Sequence, residues 1–154
     1  MITAWRIVQS RWQDTAFSGE GARLYGGRWN SAGTAMVYTS GSLSLAQLEI
    51  LVHIHTFRLL PEWVVCELQI PDVVVTAVDI SELPESWADP EDWSQTQRIG
   101  DLWASDGVSA VLRVPSAVSP GEYNFLLNPL HPDFGEIAIG AFRAFAFDAR
   151  LQRR

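Results

Sequence analysis

The chain has 154 residues, 47% of them hydrophobic and 19% charged, and a formal net charge of −7. These values fit one domain with enough apolar material for a core and exclude a disordered chain. The negative balance excludes generic nucleic-acid binding, which needs a basic face, so an anionic ligand must be held by a few local arginines. Cys66 is the only cysteine, which excludes an intrachain disulfide or a thiolate metal cluster and fits a reducing compartment. Met1 to Arg6 lacks the basic and then apolar pattern of a secretion signal, and no apolar run reaches the ~18 residues of a membrane span. A soluble cytoplasmic protein without membrane contact is therefore expected.

In chain order, Ile2 to Val8 reads as a first strand and Thr15 to Asn30, with Gly19, Gly21, Gly26 and Gly27, as a glycine-punctuated loop. Ala35 to Thr39 reads as a second strand. Ser44 precedes Gln47 by one helical turn, a capping-box spacing that predicts a helix from Leu45 to about His55. Trp63 to Ile70 alternates, with Val64, Cys66, Leu68 and Ile70 on one side, as a half-buried strand does. Val73 to Val78 follows as another. Ser81 to Gln97 carries Pro84, Pro90, Trp87, Trp93 and several acids, and reads as loop and short helix, a lid or a partner surface. Asp106-Gly107 marks a turn. Ala110 to Val114 is a buried strand ending at Pro115-Ser116, and Tyr123 to Leu127 and Ile137 to Phe147 are closing strands. The sum is an α+β domain dominated by antiparallel strands and not divided by a linker.

Three residues in this order could carry chemistry. Arg28 follows two glycines, which let backbone approach a ligand and free N–H groups for phosphate oxygen, and an arginine there can offer a bidentate fork. The same tripeptide also fits a surface turn with a solvated arginine. Tyr38 lies in a strand, where a core aromatic is the ordinary reading. Glu49 is more pointed, because Leu45, Leu48, Ile50, Leu51, Val52 and Ile54 leave its helix little solvent face. A buried carboxylate must be paired or hydrogen-bonded, and His53, one turn on, is a structural candidate for that pairing. Turn, strand and following helix could bring these residues to one sheet edge. His53, His55 and His131 lack a further ligand at metal spacing, so no metal is expected. The tryptophans Trp12, Trp87, Trp93 and Trp103 read as core or interface.

The run Gly26-Gly27-Arg28-Trp29-Asn30, the strand Val37-Tyr38-Thr39, the Ala46-Gln47-Leu48-Glu49 helix and Arg113-Val114-Pro115-Ser116 together resemble the RES domain, named for an arginine, a glutamate and a serine. Trp5-Arg6-Ile7 and Asn124-Phe125-Leu126-Leu127-Asn128-Pro129 resemble it too, so the likeness covers nearly the whole chain. The resemblance implies an ADP-ribosyltransferase-like core of two small, mainly antiparallel β-sheets with few helices around an NAD cleft. It also implies the toxin of a bacterial toxin–antitoxin pair. Members of this family degrade NAD, some as phosphorylases, and some transfer ADP-ribose to a protein. By motif, the family's arginine falls on Arg28, its tyrosine on Tyr38, its glutamate on Glu49 and its serine on Ser116, while Arg6 matches a second arginine.

The roles so implied are chemically coherent. Nicotinamide leaves a pyridinium as a neutral group, so the barrier lies in the positive charge that develops on the ribose, which a carboxylate stabilises. Glu49 takes that part, with Arg28 and Tyr38 completing the catalytic set. Arg6 and Arg28 would hold the phosphates, Tyr38 would stack on nicotinamide, and Ser116 and Asn124 would join the NAD-binding set. NAD is then the substrate, no cofactor is expected, and water or inorganic phosphate completes the displacement. The implied partners are a helix-turn-helix, Xre-like antitoxin over the cleft and a second toxin copy in the complex. No Glu-x-Glu pair of the arginine-modifying transferases is present, which favours breakdown of free NAD over modification of a protein. A non-catalytic nucleotide-binding or interaction module is the remaining alternative. Glu82 to Asp92 matches no family motif and is read as a candidate partner surface.

Overall fold

The computed structural model describes residues 1–54 and 62–152. Strands are β1 (Ile2–Gln9), β2 (Val37–Ser40), β3 (Trp63–Ile70), β4 (Val75–Ala77), β5 (Val111–Pro115), β6 (Tyr123–Leu127), β7 (Ala138–Ile139) and β8 (Arg143–Phe145). Helices are α1 (Glu20–Tyr25), α2 (Leu43–Leu51) and α3 (Ser94–Asp106), with short 3-10 turns between several elements. The strands form one sheet in the order β4-β5-β6-β2-β1-β3-β7, with β8 also on β3. All pairings are antiparallel except β4 with β5.

The two expected sheets are the two halves of this one sheet. The β1–β3 ladder pairs every residue from Ile2 to Gln9, whereas β1 meets β2 only around Trp5 and Ser40. The sheet curls at that narrow seam. Ala4, Cys66, Leu68 and Ile70 of one half then pack in one apolar cluster with Val37, Val111, Phe125 and Leu127 of the other. The opposite face is covered as well: Leu112, Val114 and Leu126 pack with Trp103 of α3, and Ile7 and Val65 pack with Ala46 of α2. Because β6 is buried on both faces, its sequence is continuously apolar from Phe125 to Leu127.

Several boundaries differ from the sequence expectations, each for a local reason. The 15–30 stretch contains α1, and its glycines are ends of that helix: Gly19 (φ 76°) and Gly26 (φ 74°) flank it in conformations that disfavour a Cβ. The cap of α2 is Ser42, whose hydroxyl accepts from Leu45 N, so the Ser44–Gln47 box is not used. That helix ends at Leu51, and His55 lies outside the described residues. The 73–78 stretch is a 3-10 turn followed by the short β4. The 137–147 stretch is two strands, because Gly140 breaks it by bringing its backbone onto Glu67, where a Cβ would lie 2.7 Å from the carbonyl oxygen. Beyond the expected short helix, α3 runs to Asp106 and is ended by left-handed Gly107. Its buried residues are Thr96, Gly100 and Trp103, so only one side chain in the stripe is apolar and large. No helix among the described residues is long and apolar enough to cross a membrane.

Candidate active site

A cavity of ≈ 770 Å³ opens between the sheet, α2 and the turn that carries Arg28. Its walls include Arg6, Arg28, Tyr38, Glu49 and Asn124, so the curled fold brings five of the six expected site residues to one space. Ser116 is the exception: it is 2% exposed and sits behind Glu49. This volume lies within the range of small-molecule and cofactor sites, roughly 300–1,000 Å³.

Glu49 is held on one oxygen. Its Oε1 accepts from Ser116 Oγ at 2.9 Å and from Asn124 Nδ2 at 3.1 Å, while Oε2 has no hydrogen-bond partner among the described residues. Ser116 Oγ also accepts from the amides of Val118 (3.1 Å) and Ser119 (3.0 Å). With both lone pairs taken, its single proton points at Glu49. Asn124 Oδ1 is buried and has no hydrogen-bond partner among the described residues. That follows from the amide's orientation, since the reverse would set two oxygens against each other at Glu49. The cost of such an orphan acceptor is about 1–3 kcal/mol, tolerated here to aim Nδ2 at the carboxylate. Two expectations change. Glu49 is half-buried rather than enclosed, because Leu48 of α2 (40%) and Val52 just past its end (52%) are exposed. The structural alternative, a pair with His53 or with an arginine, is not what holds Glu49 among the described residues: the His53 ring packs against Trp93, centroids 6.1 Å apart.

The turn bearing Arg28 is fixed from both sides. Gly27 and Asn30 form a bridge, Tyr38 Oη accepts from Trp29 N (3.0 Å), and it donates to Asn30 Oδ1 (2.6 Å). A Cβ on Gly27 would lie 2.7 Å from that hydroxyl, so the glycine is what admits the tyrosine. Burial pushes the Tyr38 phenol well above its ordinary range. From the other side, Thr96 Oγ1 donates to Arg28 O (2.5 Å), Gln97 Nε2 donates to Gly27 O (3.0 Å), and Asp101 accepts from the amide and hydroxyl of Ser31. Gly100 lets α3 touch the Trp29 carbonyl, where a Cβ would fall 1.7 Å from the oxygen. None of these α3 contacts was legible in the sequence. The Thr-x-x-x-Gly spacing was the only trace of a close helix approach.

Arg28 Nη1 donates to the carbonyls of Trp87 (3.1 Å) and Asp89 (2.9 Å), and the guanidinium lies 5.5 Å from the Trp93 ring centroid. The 81–97 stretch is therefore a strap that Arg28 grips at the cavity rim, where Ala88 and Pro90 form part of the wall. Burial lowers the Arg28 pKa, and the charges of Glu49 and then Asp89 act against that shift, so Arg28 and Glu49 sense each other electrostatically. Its Nε and Nη2 take no protein acceptor among the described residues, which leaves that edge for an anion. Arg6 is more committed: Nε donates to Ala16 O (2.7 Å) and Nη1 to Tyr38 O (2.9 Å). Burial pushes its pKa down to about 10, with Cys66 opposing slightly, so at neutral pH it remains a cation in the wall. Trp12 is 54% exposed and stacks with Arg11 at 5.0 Å, away from any core cluster.

The chain is similar to known proteins along nearly its whole length. The chain is 39% identical to a protein named Toxin Res of Photorhabdus laumondii over 96% of this chain and 95% of that one. It is 34% identical to the Prs ADP-ribosylating toxin of Sphingobium sp. over 97% and 96% of the two chains. Its fold is similar to a chain in the crystal structure of the M. tuberculosis MbcT–MbcA toxin–antitoxin complex, with a TM-score of 0.77, 18% identity, and coverage of 94% of this chain and 84% of that one. The sequence profile of the RES domain matches residues 3–148, nearly the whole chain, and on that match the chain belongs to the RES domain family.

Proposed function

We propose that this chain is the toxin of a toxin–antitoxin pair and that it cleaves the bond between nicotinamide and ribose in NAD. The observation that carries this reading is Glu49 at the cavity wall, with Oε1 tied to Ser116 and Asn124 and Oε2 left without a partner among the described residues. A carboxylate fixed on one oxygen offers the other to the ribose as the glycosidic bond stretches, where charge appears only in the transition state. The bonding pair leaves with the pyridinium nitrogen, so nicotinamide departs neutral. The anomeric carbon then bonds to an oxygen of water or phosphate, whose proton passes to solvent. The open edge of Arg28 neutralises a phosphate, and the Tyr38 ring forms part of the wall beside it.

The names of the relatives support the toxin role, and the fold shared with a member of a toxin–antitoxin complex supports an antitoxin partner. A helix-turn-helix antitoxin and paired toxin copies belong to the same proposal. Purified protein incubated with NAD should release nicotinamide, with ADP-ribose or its phosphorylated form as co-product depending on the acceptor. Glu49→Gln should lower kcat by at least ~100-fold in a folded protein, and undiminished turnover would refute the role. A second reading, transfer of ADP-ribose to a protein, is favoured by the Sphingobium relative's name. Labelled NAD in a cell extract separates the two: label retained on a protein band supports transfer. Expression should arrest growth, and co-expression of the neighbouring gene's product should relieve it.

A further inference from the structure

Glu122 lies outside the cavity wall and matches no motif of the sequence reading, yet its carboxylate joins the cap of the helix that carries Glu49 to the turn that holds Ser116. Its Oε2 accepts from Ser119 Oγ at 2.6 Å and its Oε1 from Ser42 Oγ at 3.2 Å. Ser42 is the cap of α2, the helix that carries Glu49, and its hydroxyl receives Leu45 N at 3.1 Å. Ser119 supplies one of the two amides that fill the lone pairs of Ser116 Oγ and so aim its proton at Glu49. The backbone of Glu122 closes the same turn, since Ser116 N donates to Glu122 O at 2.9 Å and Glu122 N to Ser119 O at 3.1 Å. One carboxylate therefore fixes the start of the helix behind Glu49 and the serine beside it.

We infer that Glu122 is a positioning residue, which sets Glu49 by clamping the α2 cap to the Ser116–Glu122 turn. The functional arm of this inference rests on the NAD-cleaving reading; the geometric arm does not. A side chain held on two serine hydroxyls adds nothing to ligand binding directly, so its loss should act on the chemical step through Glu49. Negative charge beside the first turn of α2 also suits the partial positive charge of a helix N-terminus.

The experiment compares wild type with Glu122→Gln, Glu122→Ala and Ser119→Ala. In NAD cleavage, kcat should fall about tenfold in Glu122→Ala with KM within about twofold, a pattern that a loss of transition-state interaction gives and a loss of uniform binding does not. Glu122→Gln, which keeps size and one carbonyl acceptor, should recover part of that loss. Ser119→Ala combined with Glu122→Ala should be no worse than Glu122→Ala alone, because both cut the same link. Crystal structures of Glu122→Ala and Ser119→Ala should show the Ser116 Oγ to Glu49 Oε1 contact lengthened or broken. An unchanged kcat in a folded Glu122→Ala enzyme overturns the inference, and so does an unchanged Ser116–Glu49 contact in both variant structures. If wild type does not cleave NAD, the functional reading fails, and the variant structures still decide the positioning role.

Discussion

At the scale of single residues, the Tyr38 hydroxyl joins β2 to the arginine turn. Phenylalanine there would keep the ring and leave Trp29 N and Asn30 Oδ1 without that partner. A buried group stripped of its hydrogen bond costs about 1–3 kcal/mol, so Tyr38→Phe should lose that much stability in urea denaturation at pH 7. The pH dependence has a definite sign. Because the folded-state pKa of Tyr38 is raised, its contribution is complete below the unfolded value near ~10 and declines as pH rises through and beyond it. The stability gap between wild type and Tyr38→Phe should be flat from pH 7 to 9 and shrink above pH ~10; a gap that widens there would contradict this. Arg28, Tyr38 and Glu49 could be singled out from the chain by their order and by the family motifs they match, Glu49 also by its place in an apolar helix. The hold of Ser116 and Asn124 on Glu49 could not be read there, nor Thr96 at all, because these are common residues whose hydrogen bonds span 67, 75 and 68 positions.

At the scale of elements, α3 shows how much of a site can rest on a helix that contributes nothing to the cavity wall. Gly100 packs on the Trp29 carbonyl, which is backbone and cannot rotate aside. Alanine would gain up to ~1 kcal/mol of helix propensity but force overpacking of about 1–3 kcal/mol or more at a 1.7 Å contact. Gly100→Ala should thus lower the melting temperature and raise KM by displacing Arg28. In α1 the balance reverses: nothing lies within 4 Å of a Cβ on Gly21, so Gly21→Ala should stabilise by about 0.5–1 kcal/mol. Thermal denaturation of the two variants, opposite in sign, tests this reading of the contacts. The sequence reading reached β3 because its apolar residues alternate, and β5 and β6 because they are short apolar runs bounded by turn residues. It passed over α1 and most of α3 because glycines and buried polar groups stand where the helical stripe would be apolar.

At the scale of the whole molecule, stability and site depend on the curl of the sheet about the β1–β2 seam. Leu68 is fully buried in the cluster that unites the two halves. Leu68→Ala should cost about 2–5 kcal/mol, or roughly 2–4 °C of melting temperature per kcal/mol in a chain of this size, readable by calorimetry. A loss below ~1 kcal/mol would mean the halves do not share a core. The sequence by itself determined that the chain is an α+β protein of the RES family, and it named the acid, arginines, tyrosine, serine and asparagine of the candidate site, because composition, strand periodicity and short ordered motifs are local properties. Only the tertiary structure decided that the two sheets are one and that Glu49 hangs on Ser116 and Asn124. It alone also decided that Arg28 grips the 81–97 strap and that α3 and Glu122 hold the two sides of the cavity. Each of these is a contact between residues far apart in the chain, and hydrogen bonds of that kind exist only once the curled sheet has brought their donors and acceptors together.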